Sequence, residues 1–219
     1  MNAPVVGVGM TSPRTRGRMI ERLREKGIVD EEVLTAISAV PRHVFVEEAL
    51  ASRAYEDTAL PLGYAQTISQ PYVVARMIEL LREGRDRLGK TLEIGAGCGY
   101  QAAVLAQLTD EVYAIERIAP LLAKAKVNLR TIGQFKVRLK HADGQLGLPE
   151  VAPFDTIIVA AAATRVPPAL LRQLALGGRM ILPLGTTRQS LALIEHRADG
   201  FIETRLDAVR FVPLLAGVA

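Results

Sequence analysis

The sequence predicts an α/β fold: a mostly parallel, twisted sheet of roughly seven strands with an antiparallel edge, preceded by helices. Two patterns carry this expectation. From Lys90 onward, short apolar runs alternate with longer runs at helical spacing, the pattern of successive βαβ units. Near the end, two strand-like runs flank Asp199-Gly200, a turn dipeptide that suits an antiparallel pair.

The elements follow in order. Residues 13–26 and 30–39 predict two helices, because Met19, Ile20 and Leu23 share one face of the first and Val33, Leu34, Ile37 and Val40 mark the second. Gly27 separates them and Pro41 ends the second. Between 45 and 63 the mixture of Pro, Gly and polar residues predicts an irregular loop, a candidate to close over a site. A third helix begins near Pro71, with Val73, Met77, Leu80 and Leu81 on one face. Strand 91–94, helix 100–108, strand 111–116, helix 119–131 and strand 136–141 come next. Strand 155–160, a helix over 167–174, a turn at Gly177-Gly178 and strand 179–184 continue the alternation, and 190–196 with 201–213 form the antiparallel pair. No repeat, low-complexity stretch or linker divides the chain. Residues 1–219 are therefore expected to form one domain, with 1–89 packed as a helical lid on the sheet formed by 90–219.

With 219 residues, 49% of them apolar, the chain can bury a substantial core. Its one cysteine, Cys98, leaves no internal disulfide and no cysteine metal cluster, which points to a reducing compartment and a cytoplasmic location. Residues 1–10 lack the basic start and long apolar run of a signal, and the apolar run 157–163 is too short to span a bilayer, so no membrane association is expected. The net charge of +4 raises nucleic acid as a partner, given Arg14, Arg16, Arg18, Arg22, Arg24 and Lys26, and then Arg82, Arg85, Arg87 and Lys90. Glu21, Glu25, Glu79, Glu83 and Asp86 interleave with them and no aromatic residues stand among them for stacking, so a solvated helix face is expected instead.

Three pieces point to a ligand. In Leu92-Glu93-Ile94-Gly95-Ala96-Gly97-Cys98-Gly99-Tyr100, three glycines fall in a strand-to-helix turn, where missing side chains let a ligand approach the backbone. Glu116 ends the next strand, where its two oxygens suit the hydroxyls of a ribose. His141-Ala142-Asp143-Gly144 ends the third, suited to an adenine ring. The glycine spacing is neither that of a pyrophosphate fingerprint nor that of a P-loop, which favours a nucleoside without phosphates.

A fourth segment, Thr67-Ile68-Ser69-Gln70-Pro71, together with 152–159, the Gly177-Gly178-Arg179 run and Val209-Arg210-Phe211-Val212-Pro213-Leu214, resembles the protein-L-isoaspartate O-methyltransferases over nearly the whole chain. The resemblance implies a Rossmann-like, class I S-adenosylmethionine-dependent methyltransferase that esterifies the free α-carboxylate of L-isoaspartyl and D-aspartyl residues in damaged proteins and peptides, releasing S-adenosyl-L-homocysteine and starting repair through a succinimide. It implies Ser69 as the active-site serine, with Thr67, Ile68 and Ser69 beside the methionine end of S-adenosyl-L-methionine. Glu93, Gly95, Gly97 and Gly99 match the cofactor loop, Glu116 with Arg117 the ribose side, and Asp143, Gly144 and Gln145 the adenine side. The chain departs from the family pattern at Ala142, at Gln145-Leu146 and in the four residues that follow Leu214-Leu215.

Such residues suit the chemistry. A carboxylate is already ionised at neutral pH, so it attacks a sulfonium methyl without a strong base, and no metal is expected. His43, His141 and His196 lie on different elements and form no triad. Ser69 is expected to orient the carboxylate, helped by free amides at the start of the following helix, although a serine before a Pro-led helix is also an ordinary N-cap. Cys98 is read as a small residue filling the glycine turn. Two other readings stay open: a methyltransferase acting on RNA or a small molecule, and an inactive cofactor-binding relative. Against an amine-directed nucleic-acid enzyme, Ala160-Ala161-Ala162-Ala163 offers no polar group after the fourth strand. A monomer is expected. Asp199-Gly200 is a potential site of self-damage, because glycine leaves the succinimide route unhindered.

Overall fold

The computed structural model describes residues 7–219, so the first six residues of the stretch read for a signal lie outside the described residues. Helix α1 (Pro13–Glu25) starts at Ser12, whose Oγ accepts the Thr15 N–H at 3.4 Å. It stops at Gly27, where φ is +94°: Gly27 N–H reaches the Arg24 carbonyl (2.9 Å) and Ile28 N–H the Leu23 carbonyl (3.1 Å), a closure that needs a left-handed residue. Asp30 caps α2 (Glu31–Ala39) through the amides of Glu32 and Val33 and also receives Arg82 Nε at 2.8 Å. Glu79 Oε1 accepts the amides of Val29 and Asp30 at 2.7 and 3.0 Å, so α3 (Pro71–Arg82) holds the turn between the first two helices.

The stretch 45–63 is more ordered than its composition suggests. It contains a 3₁₀ turn at Glu48–Arg53 and the strand β1 (Leu60–Gly63), which pairs antiparallel with β2 (Gln66–Ile68). The sequence gives no hairpin signal because Tyr64 and Ala65 adopt φ of +54° and +55°, a turn conformation that normally announces itself with Asn or Gly. Phe45 and Tyr55 are fully buried, so this segment is part of the core.

The main sheet then forms from β3 (Thr91–Ile94), α4 (Tyr100–Leu108), β4 (Val112–Glu116), α5 (Ala119–Thr131), β5 (Val137–His141), β6 (Phe154–Val159), α6 (Pro168–Leu171), β7 (Leu174–Gly185), β8 (Gln189–Arg197) and β9 (Gly200–Val209). Its seven strands run in the order β5-β4-β3-β6-β7-β8-β9, with β3 to β7 parallel and β8 antiparallel to both neighbours. Strand order reverses between β3 and β6, which opens a crevice at their carboxyl ends. Alternation along the strands sends Ile158, Ile181 and Leu193 into one apolar layer with Met19, Leu23 and Met77 of the front-end helices. Ile157, Met180 and Leu182 enter the opposite layer with Leu148 and Leu170.

Three boundaries differ from the sequence reading. The helix expected over 167–174 is one turn, because Leu174 is drawn into the sheet opposite Phe154 and the buried Gln173 side chain binds the Leu148 amide and the Leu146 carbonyl. Gly177-Gly178 is a kink inside β7, with φ of +77° at Gly177, instead of a turn before it. Strand β9 ends at Val209, and 210–215 crosses to Ala162, where Pro213 makes an isolated bridge.

The basic residues of α1 largely turn inward or pair. Arg16 donates to the Ser38 carbonyl, Arg22 to the Tyr55 carbonyl, Arg24 to Glu21 and Glu31, and Lys26 to Asp57. No helix among the described residues is long and apolar enough to cross a membrane.

The two Asp-Gly pairs sit in opposite environments. Asp199 is exposed in the β8–β9 turn and nothing crowds Gly200. Asp143 has one oxygen on the Gln145 amide (2.8 Å) and the other on the Gly217 amide (2.6 Å), and a side chain on Gly144 would stand 2.5 Å from Ile94. Succinimide closure requires the glycine nitrogen to reach the aspartyl side-chain carbon, so ageing should place isoaspartate at 199 and spare 143. Peptide mapping by mass spectrometry after prolonged incubation checks this; damage appearing first at 143 contradicts it.

Candidate active site

The crevice is built on the turn after β3. Gly95 and Ala96 donate their amides to the Ile115 carbonyl at 2.9 and 3.0 Å, and φ is +85°, +53° and +88° at Gly95, Gly97 and Gly99, so the turn as formed admits glycine at all three. Glu116, at the end of β4, fixes the turn from the side. One of its oxygens accepts Gly97 N–H at 2.8 Å and the other Ile118 N–H at 2.9 Å, leaving each oxygen a further lone pair.

Thr67, Ile68, Ser69, Glu93, Gly95, Gly97, Glu116, Arg117 and Gly144 all line this cleft. Gly99, Asp143 and Gln145 stand outside its wall. A side chain on Gly99 would press on Ala125 at 3.2 Å, so that glycine serves the approach of α5 to the turn. Asp143 and Gln145 hold the chain after β9 through the Gly217 amide and the Leu214 carbonyl (3.2 Å).

Glu93 is fully buried and neither of its oxygens has a partner among the described residues. Burial pushes its carboxyl up to about 8, the Gln101 amide opposes the rise and Glu116 adds to it. A cation entering the cleft would meet the Glu116 carboxyl and, at Glu93, an acid that its charge would help to ionise. Cys98 is buried in the turn, its thiol pushed up to about 11 by burial, and its carbonyl accepts Asn128 Nδ2 at 3.0 Å; it packs and does not act as a nucleophile. The histidines stay apart, on the Tyr55 hydroxyl (His43), the Arg117 carbonyl (His141) and the Leu174 carbonyl (His196).

Ser69 is not the cap of α3. Gln70 occupies that position without a side-chain cap bond, and the free amide of Tyr72 is taken at 2.8 Å by Asp57 from the preceding loop. Val73 and Val74 donate to the Gln70 carbonyl and Pro71 has no N–H, so the free helix-start amides expected from the sequence are already engaged. Ser69 Oγ has no hydrogen-bond partner among the described residues, while its carbonyl accepts Arg42 Nη2 at 2.8 Å. At Thr67, Ser69 and Ala160 the cleft meets a second groove, which runs between α3 and the end of β9 past Tyr72, Val73, Leu191 and Phe211.

Sequence reasoning missed several wall residues. Leu62, from the unannounced hairpin, stands 3.5 Å from where a side chain on Gly97 would begin. Val212 to Leu215 line the cleft because Ala162 N–H bonds the Val212 carbonyl and Leu214 N–H bonds the Ala162 carbonyl, both at 2.8 Å. Pro213 was the available signal, since proline does not continue a paired strand. The small side chains at 160–163 let this segment approach.

A Dechloromonas aromatica (strain RCB) protein named Protein-L-isoaspartate O-methyltransferase is 75% identical over 211 residues, covering 96% of this chain and 98% of that protein. Among solved structures, a protein-L-isoaspartate O-methyltransferase superposes with a TM-score of 0.83 at 29% identity, covering 93% of this chain and 67% of the other. A Plasmodium falciparum protein-L-isoaspartate O-methyltransferase in complex with S-adenosyl-L-homocysteine superposes with a TM-score of 0.79 at 25% identity, covering 90% and 97%. Residues 14–219 match the family described as Protein-L-isoaspartate(D-aspartate) O-methyltransferase, and the chain belongs to that family.

Proposed function

We propose that this protein transfers the methyl group of S-adenosyl-L-methionine to the free α-carboxylate of L-isoaspartyl and D-aspartyl residues in damaged proteins and peptides. The observation that carries the reading is the free Ser69 hydroxyl at the junction of a glycine-walled cleft and a groove open to a peptide. The protein acts as a single domain, since the front-end helices and the sheet share one apolar layer. A monomer in the cytoplasm, without stable nucleic-acid or membrane partners, fits the paired and inward-turned basic residues of α1.

The cleft suits the cofactor. Glu93 has two orphaned oxygens for an ammonium group, Glu116 keeps lone pairs for a ribose diol, and Gly144 offers a flat wall for adenine, backed by Asp143 and Gln145. Gly95 and Gly97 bring backbone to the ligand, Thr67 and Ile68 lie toward the methionine end, and Arg117 continues the ribose side. When bound, S-adenosyl-L-methionine supplies an electrophilic methyl on a positive sulfur and leaves as S-adenosyl-L-homocysteine. The substrate carboxylate needs no base, because it is ionised at neutral pH. Ser69 donates a hydrogen bond to one carboxylate oxygen and aims the other along the line of transfer. Two opposite charges neutralise each other in the step, so walls that exclude water, Leu62 and Leu214 among them, favour it.

Methyl transfer from labelled cofactor to two peptides that differ only in an isoaspartyl or aspartyl linkage tests the proposal, with base-labile methanol as the mark of an ester. Label on the isoaspartyl peptide alone supports it; cofactor binding with label on neither peptide removes it. Ser69→Ala should lower turnover about ten- to hundredfold, the loss of one hydrogen bond to a charged group, with cofactor affinity nearly unchanged. Glu116→Ala should weaken cofactor binding by about 1 to 3 kcal/mol in titration calorimetry. Glu93 stands at about 8 in the fold, above its unfolded value, so folding takes up a proton, and stability present at low pH is lost as pH rises through 8. The melting temperature of ligand-free Glu93→Gln should therefore gain on the native protein between pH 6 and pH 9; a constant gap would contradict this.

A further inference from the structure

We propose that Arg42 is a positioning residue of this reaction, which from behind the cleft wall fixes the Ser69 segment and supplies the positive charge that selects a carboxylate over an uncharged side chain at that hydroxyl. The inference rests on the reading of Ser69 given above.

Arg42 is fully buried. Its Nε donates to the Ala54 carbonyl and its Nη2 to the Ser69 carbonyl, both at 2.8 Å, so one planar fork spans the loop before β1 and the segment after β2. The guanidinium carbon lies 4.7 Å from the centroid of the Tyr100 ring, and Tyr100 belongs to the cleft wall. Arg42 Nη1 and Tyr100 Oη make no hydrogen bond of good geometry among the described residues, although the two side chains are close enough for the cation to favour the phenolate of Tyr100.

No carboxylate pairs with this cation among the described residues. Asp57 acts on it only at range and is itself taken by Lys26 Nζ (2.5 Å), Gln70 Nε2 (3.2 Å) and the Tyr72 amide. The other groups facing it are neutral, with the Tyr100 phenol pushed up to about 12 and the Cys98 thiol to about 11 by burial. Burial lowers the pKa of Arg42 as well, but a guanidinium keeps its proton at neutral pH. An uncompensated buried charge is costly, and an anion arriving at the adjoining wall relieves that cost. The start of α3 supplies no free amide for the task and has the negative Asp57 beside it. Lys26, Arg76 and Arg210 line the adjoining groove, the first paired with Asp57 and the second with Glu79 and Asp207; Arg42 is the buried cation bonded to the Ser69 segment itself, and so the one placed to make that wall attractive to a carboxylate from behind.

The test measures binding of two peptides to the S-adenosyl-L-homocysteine complex, one isoaspartyl and the other its uncharged isoasparaginyl counterpart, for the native protein, Arg42→Met and Arg42→Lys. The native protein should prefer the carboxylate by about tenfold or more. Arg42→Met should bind both peptides alike, with cofactor-product affinity within about twofold of native. Arg42→Lys should lose about tenfold in kcat, because the fork is gone, and should keep the preference at pH 6 while losing it as pH rises, because a buried ammonium gives up its proton more readily than a guanidinium. A native-sized preference in Arg42→Met overturns the proposal. If circular dichroism shows that Arg42→Met does not fold, Arg42→Lys decides, and absence of the preference in that variant already at pH 6 overturns it. Failure of the native protein to bind either peptide would remove the functional reading itself, an outcome distinct from an unchanged preference in the variants.

Discussion

A buried guanidinium with no counter-ion among the described residues ties the centre of this molecule together. Arg42 joins the carbonyls of Ala54 and Ser69 and lies over Tyr100, so the hairpin segment, the glycine turn and the helix that follows it share one fixed point. Lysine could not hold two carbonyls in one plane, and an apolar side chain would leave both carbonyls buried without donors.

Around that point, tasks usually done by near neighbours are done at a distance. The Tyr72 amide at the start of α3 is satisfied by Asp57, fifteen residues earlier in the chain, and Ser69 is thereby released from capping. The turn after β3 is braced by Glu116 of the adjacent strand, and the chain after β9 is held by Asp143 and Gln145, the residues that follow β5. Each device brings a distant part of the sequence to the wall of one cleft, consistent with a ligand site at the point where strand order reverses.

The two acids of the cleft show how placement alone separates like groups. Glu116 accepts two backbone amides, one on each oxygen. Glu93, one strand away and fully buried, makes no hydrogen bond of good geometry among the described residues, and burial pushes its carboxyl up to about 8. In the proposed function, one acid meets neutral hydroxyls and the other awaits a cation.

Much of this protein was legible in the sequence because it is locally encoded. The strands β3 to β6, the helices α4 and α5 and the glycine turn follow from periodicity, from residues that stop helices and from three glycines set close together between a strand and a helix. Membership of the family was legible too, through the Thr67-to-Pro71 segment. What the tertiary structure decided depends on contacts between distant residues. The hairpin at Tyr64-Ala65 is held in a conformation its residues do not favour alone, and the helix at 167–174 is cut to one turn by the pairing of Leu174 with Phe154. The cap by Asp57, the orphaned oxygens of Glu93 and the fork of Arg42 have no local signature, because a hydrogen bond between distant residues leaves no spacing to read. The sequence determined the layers of the sheet; packing alone decided which side chains in the cleft are engaged and which are left free to meet a ligand.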